Sequence, residues 1–161
     1  MPAVQKIRPC LWFNTEAEEA ANLYISLFDD AKITEISRYG EVGPMPAGTA
    51  LMVAFELAGQ QFQALNGGPM FQFTEAISLS VDCRTQEEVD HLWSSLTADG
   101  GEESQCGWLK DRFGLSWQIV PERLGELMSG PDAAAAQRTM EAMLQMRKLD
   151  IAALERAHAG G

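Results

Sequence analysis

Ten residues near the N-terminus return 69 positions later. Glu18–Leu27 reads EEAANLYISL and Glu87–Leu96 reads EEVDHLWSSL, a shared EExxxL[YW]xSL pattern. Leu23 and Leu27, like Leu92 and Leu96, stand four apart, with Ala20 or Val89 three residues earlier. Each copy therefore predicts a helix with one apolar stripe. Thr15 and Thr85 stand where N-caps would, ahead of acidic first turns that suit the helix dipole. A module that recurs at a fixed offset restricts the chain to folds built by duplication.

The segments around each helix agree with that reading. Pro9–Phe13 precedes the first helix as a strand-like run, and Ala76–Cys83 precedes the second. The second run alternates, with Ile77, Leu79 and Val81 on one face and Ser78, Ser80 and Asp82 on the other. Such a strand puts one face under a helix and the other toward a polar space. After the first helix come strand-like runs at 33–38, 49–58 and 61–66, the last two joined by a hairpin at Gly59-Gln60. After the second come runs at 102–105, 107–110 and 115–121, with Asp111–Gly114 as a turn. Each half reads β-α-β-β-β, and Gly67-Gly68-Pro69 punctuates the join. Tyr39–Gly48 forms a loop long enough either to cover a cavity or to be a plain surface connection. Beyond Pro121 the pattern turns helical, with Ala136, Met140, Met143 and Leu144, then Ile151 and Leu154, at helical spacing.

Composition removes several function classes. At 161 residues the chain is the length of one ordinary domain, and 46% apolar with 22% charged residues is globular composition. No apolar run reaches membrane-spanning length, and residues 1–6 lack the apolar core of a signal peptide. The net charge is −11, with 17 acids against 7 bases in residues 1–121 and 6 against 5 afterwards. No cluster of Lys and Arg exists to displace counterions from phosphates, so nucleic acid is not an expected partner, and neither is a membrane. Cys10, Cys83 and Cys106 form an odd set without a CxxC pair, which fits a reducing cytoplasm. HExxH, GxSxG and Walker A patterns are missing from the sequence.

Pro9–Phe13, AEEAANLYISLF at 17–28, Asn66–Pro69 and QCGWLKDRFGLSWQIVP at 105–121 resemble the PhnB-like branch of the vicinal oxygen chelate superfamily, over about residues 5–121. The resemblance implies an α+β fold. Two tandem βαβββ modules, at about 5–66 and 76–121, form one domain over 1–121 and curl their sheets into a trough; a helical extension covers 122–161. Many such proteins carry a 3-demethylubiquinone-9 3-methyltransferase label. No Gly-rich strand-to-helix turn is present here to bind S-adenosylmethionine, so methyl transfer is not expected.

Metal-using members of the superfamily hold a divalent ion with His, Glu or Gln from strands of both modules. The matching positions depart from that pattern. The first strand offers Arg8, Cys10 and Trp12, the strand at 61–66 offers Ala64 beside Asn66, and the strand at 77–83 offers Ser78 and Ser80. Gln118 falls near the place of the final carboxylate. Neutral Ser, Asn and Gln oxygens lack the charge and basicity that retain a catalytic transition metal, so no metal and no cofactor is expected. Trp12, Asn66, Ser78, Ser80, Trp108 and Gln118 are the expected ligand-binding residues of a neutral, aromatic-walled pocket.

Other candidates have plainer readings. His91 lies on a solvated helix face and His158 three residues from the end. Cys10 and Cys106 are either reactive thiols near Lys110 or, more simply, small apolar fillers. Lys110 and Asp111 either orient a ligand or form a turn ion pair. The expected function is small-molecule binding in a metal-independent cavity, with an unknown ligand. The alternatives are an enzyme of the same superfamily with unassigned chemistry, metal-dependent or not, and a structural or regulatory dimer. A homodimer joined through the C-terminal helices is expected, against the competing arrangement in which the tail folds back on its own modules.

Overall fold

The computed structural model describes residues 3–161, and its contacts divide the chain into two compact units, the first ending at Gln72 and the second spanning Phe73–Gly161. The first holds β1 (Cys10–Phe13), α1 (Ala17–Ser26), β2 (Ala31–Arg38), β3 (Ala50–Leu57) and β4 (Gln60–Asn66). The second holds β5 (Ser78–Cys83), α2 (Gln86–Thr97), β6 (Glu102–Glu103), β7 (Trp108–Lys110), β8 (Ser116–Pro121), α3 (Glu122–Met128), α4 (Ala133–Leu144) and α5 (Ile151–Ala159). The sheets have the same plan. Their orders are β1-β4-β3-β2 and β5-β8-β7-β6, and in each the first strand runs parallel to the fourth while the rest are antiparallel. The duplicated βαβββ reading and the α+β class describe the molecule.

Alternation decides which face of each sheet is covered. In the first, Leu11, Ala64 and Val53 lie in one lateral row and are buried, as are Phe55 and its partner Phe62, whose rings stack at 5.4 Å. Tyr24 of α1 meets Phe55 at 6.2 Å, which places the helix on this face. In the second, Leu79, Trp117 and Leu109 form one row and Val81 with Ile119 another. Val89, Leu92, Trp93 and Leu96 are the buried residues of α2. Removing an aliphatic side chain of this kind from water contributes about 1.5–3 kcal/mol.

Two local details differ between the copies. Thr85 caps α2 as its position predicts, accepting from Glu88 N at 3.1 Å. Thr15 does not cap α1; the N-cap is Glu16, without a side-chain bond. The buried residues of α1 are Ala17, Ala20, Ala21 and Tyr24, while Leu23 and Leu27 are only half-buried. The helix is rotated toward its alanines, whose small side chains allow close approach to the sheet. The hairpin turn falls at Ala58-Gly59, one residue before the expected place, with φ of 49° and 83°.

The tail helices belong to the second unit. Leu127, Leu149 and Leu154 form a buried cluster that Val120, Leu124, Met143 and Met146 pack against. Cys106 N donates to Met146 O and Gly107 N to Arg147 O, both at 2.8 Å. Gln86 Nε2 donates to Leu149 O and its Oε1 accepts from Ile151 N. The tail thus folds back on the module that precedes it. Of the residues from which a subunit contact was expected, Met143 and Leu154 are spent in this packing, and Met140 and Leu144 stay exposed.

Candidate functional site

The face of the second sheet away from α2 carries most of the expected site residues. Lateral register places Ser78, Ser116 and Lys110 in one row and Ser80, Gln118 and Trp108 in the next. Gln118 Nε2 donates to Ser78 Oγ at 3.0 Å, which fixes the orientation of the carboxamide. Ser80 and Asp82 are exposed and Trp108 is half-buried. Ile77 departs from expectation: it is 54% exposed, because the strand and its alternation begin only at Ser78. Val120 continues the open face beyond Gln118 and is covered by the tail cluster, so the tail bounds that end.

Lys110 and Asp111 part company. Lys110 Nζ forms an ion pair with Glu75, which precedes β5. The pairing raises the ammonium's pKa and lowers that of the carboxyl; both groups are exposed, so it adds little stability. Asp111 is buried and holds backbone and side-chain donors of its own turn and of β8. Its Oδ1 accepts from Phe113 N at 2.9 Å and Leu115 N at 3.1 Å, and its Oδ2 from Trp117 Nε1 at 3.0 Å. It shapes the turn and holds Trp117 in the core.

The open face of the first sheet carries Cys10, Trp12, Gln63, Ala54 and Glu35. A groove of about 380 Å³ opens there over the small Ala54, lined by Arg8, Lys32, Glu35, Glu56 and Gln61 among others. Cys10 is exposed; desolvation by its neighbours raises its thiol pKa, and the Arg8 guanidinium pulls the other way. Trp12 lies against Phe71, edge to face at 5.0 Å, and its Nε1 donates to Gly68 O at 2.9 Å. That indole fills the space a side chain at position 67 would need: a Cβ there would lie 2.4 Å from the ring.

Asn66 is not on this face. It shares the covered side with Phe13, is 1% exposed, and its amide is committed within the unit. Oδ1 accepts from Ala17 N at 2.8 Å and Nδ2 donates to Ala50 O at 2.9 Å. Asn66 is thus the cap that α1 lacks locally, supplied from a strand 49 residues away. The Ala64–Asn66 phase faces the helix; Gln61, Gln63 and Leu65 face outward. Pairing β4 with β1 sets that phase, and an isolated run of seven residues carries no mark of it.

Among the described residues no three His, Cys, Asp or Glu side chains converge. Where the superfamily uses charged or imidazole ligands, the second sheet presents serine hydroxyls and a carboxamide already engaged with Ser78.

The 3-demethylubiquinone-9 3-methyltransferase family model matches residues 5–120. The chain belongs to this family. A PhnB protein from Bacillus cereus that carries the same methyltransferase name is 40% identical, with a TM-score of 0.68 over 73% of this chain and 99% of that one. Two more distant structures share the fold alone. Protein PA1353 from Pseudomonas aeruginosa is 21% identical with a TM-score of 0.60, over 74% of this chain and 98% of that one. The fosfomycin resistance protein FosX from Listeria monocytogenes is 15% identical with a TM-score of 0.50, over 77% and 98%. No curated protein matches the chain. The PhnB-like chain therefore has the glyoxalase-like fold of the vicinal oxygen chelate superfamily. Sequence reasoning missed two members of the second open face, Glu75 and Ser116. Glu75 lies in a segment without periodicity, and Ser116 looks like any strand-opening serine.

Proposed function

We propose that this PhnB-like protein binds a small organic molecule on the open face of its second unit and does so without a metal. The observation that carries the reading is the row of Ser80, Gln118 and Trp108. It puts a hydroxyl, a carboxamide oriented by Ser78 and an aromatic wall side by side, with no anionic ligand set. Such a surface orients a flat, polar ligand through neutral hydrogen bonds and stacking. Trp12, on the open face of the first unit, is a second aromatic surface of the same kind. The methyltransferase in the family name finds no support in the chain, which lacks a Gly-rich strand-to-helix turn. Three free cysteines fit work in the reducing cytoplasm.

Metal titration followed by thermal unfolding tests the reading. An ion present at 100 times its Kd stabilises a protein by about 2.7 kcal/mol. Excess Zn²⁺, Ni²⁺ or Mn²⁺ should leave Tm unchanged, and a saturable rise of several degrees defeats the metal-free assignment. Native mass spectrometry of the untagged protein should show a retained small molecule that Trp108→Ala loses; retention unchanged in that variant removes the second open face from the proposal.

A further inference from the structure

The groove on the open face of the first sheet is built by three features of the chain. Two hollows, of about 380 and 130 Å³, meet there, and both are bounded by Arg8, Ala54 and Glu35. Ala54 is the smallest side chain of its lateral row, so the floor is low. A bulge in β2 takes the pairing from Ile33↔Phe55 directly to Glu35↔Ala54, so Glu35 gains an open-face place that plain alternation would deny it. On the other side, the segment ahead of β1 is pinned to β4. Gln5 N donates to Gln61 Oε1 at 2.9 Å, Gln61 Nε2 to Ala3 O at 3.0 Å, and Gln63 N to Pro9 O at 2.9 Å. Arg8, on the wall, is half-buried.

Charge on these walls is left open. Elsewhere cations pair, Arg38 with Glu18, Arg123 with Glu126 and Lys148 with Asp90. Arg8 and Glu35 border the same hollows, yet among the described residues neither side chain has a hydrogen bond or an ion pair. Lys32 and Glu56 stand opposite each other in the register and offset one another on the wall of the larger hollow. What remains is one guanidinium and one carboxylate with the Ala54 methyl between them. A partly desolvated charge without a partner has given up hydration for nothing in return. A simple anion drawn to Arg8 would meet Glu35, and a simple cation drawn to Glu35 would meet Arg8. A molecule that carries both charges finds a complement at each end. Three strand spacings separate β1 from β2, about 14 Å between backbones, so the two charges of the molecule must stand apart as well.

We infer that this groove takes a small zwitterion whose amine and carboxylate are separated by a short carbon chain. The carboxylate accepts from the N–H fork of Arg8, the ammonium donates to Glu35, and the methylenes cross Ala54, with Met52 on the wall of the smaller hollow. The inference goes beyond the binding role proposed for the second unit and does not rest on it.

Four probes, titrated into the full chain by calorimetry, test it: 4-aminobutyrate, butyrate, butylammonium and glycine. 4-Aminobutyrate should bind saturably and at least about tenfold tighter than either singly charged probe. Glycine, whose charges sit on one carbon, should not bind. Arg8→Gln and Glu35→Gln should each weaken 4-aminobutyrate about tenfold. Arg8→Gln should leave butylammonium no weaker, and Glu35→Gln should leave butyrate no weaker. Neither side chain holds another part of the protein, so the Tm of each free variant should stay within about 2 °C of the parent. A general loss of structure would instead lower Tm and binding of every probe together. Equal or tighter binding of butyrate, butylammonium or glycine overturns the zwitterion assignment, as does failure of 4-aminobutyrate to bind. Unchanged 4-aminobutyrate binding in both variants removes the site from this groove.

Discussion

Asn66 shows how much one side chain can hold in place. Its carboxamide satisfies one backbone donor at the start of α1 and one backbone acceptor on β3, both in the interior of the first unit. Tyr39 Oη donates to its carbonyl oxygen at 2.8 Å, which ties down the loop that leaves β2. Replacing Asn66 by Ala leaves Ala17 N–H and Ala50 C=O buried without partners, so Asn66→Ala should lose about 2–5 kcal/mol in urea unfolding. Asn66→Asp should recover part of that loss, because a carboxylate still accepts from Ala17 N at the positive end of the helix. A loss below 0.5 kcal/mol for the alanine variant would mean that α1 is not capped this way. Asp111 does parallel work in the second unit, its buried carboxylate accepting from Phe113 N, Leu115 N and Trp117 Nε1 among its partners. Asn66 was expected in a ligand pocket and Asp111 either beside a ligand or in a turn, and the partners each has in the fold are architectural.

At the scale of elements, the β3–β4 hairpin and the tail make opposite predictions. Ala58 holds φ 49° in the turn, a left-handed conformation that disfavours a Cβ. Ala58→Asn or Ala58→Gly should therefore stabilise the protein, by about 0.5–1 kcal/mol, read as a higher urea midpoint with unchanged m-value. The tail helices, in contrast, are integral to the second unit. Leu149 is fully buried and touches Gly107, whose φ of 86° lets the chain pass beneath it. Leu149→Ala should cost about 2–5 kcal/mol, and deletion after Pro121 should cost more, since it also uncovers Val120 and frees the Cys106 and Gly107 amides. A truncated chain with the parent's midpoint would contradict the packing.

Over the whole molecule the thiols give the clearest dependence on pH. Burial, reinforced by Glu88, Asp82 and Glu122, pushes the Cys83 thiol from 9.0 up to about 12. Cys83 must stay protonated in the folded state, whereas the unfolded chain releases that proton near pH 9. Its contribution is therefore present below pH 9 and is lost progressively as pH rises toward 12. Urea midpoints should fall between pH 8 and pH 10.5, and fall less in Cys83→Ala; identical slopes would remove Cys83 as the cause. Alkylation at pH 8 should label exposed Cys10 and spare Cys83 until the chain unfolds.

The internal repeat and local periodicity determined the duplicated βαβββ plan, the helices at Glu18–Leu27 and Glu87–Leu96, and the outward face of Ser78 and Ser80. These depend on the 2.0 and 3.6 residue repeats, which any local stretch displays. Only the tertiary structure decided the rest: that Asn66 faces the helix, that Glu75 reaches Lys110, that Ser116 is buried without a partner, and that the tail closes on β8. Each of these contacts joins residues far apart in the chain or depends on strand pairing, and local sequence carries no record of which distant group a side chain will meet.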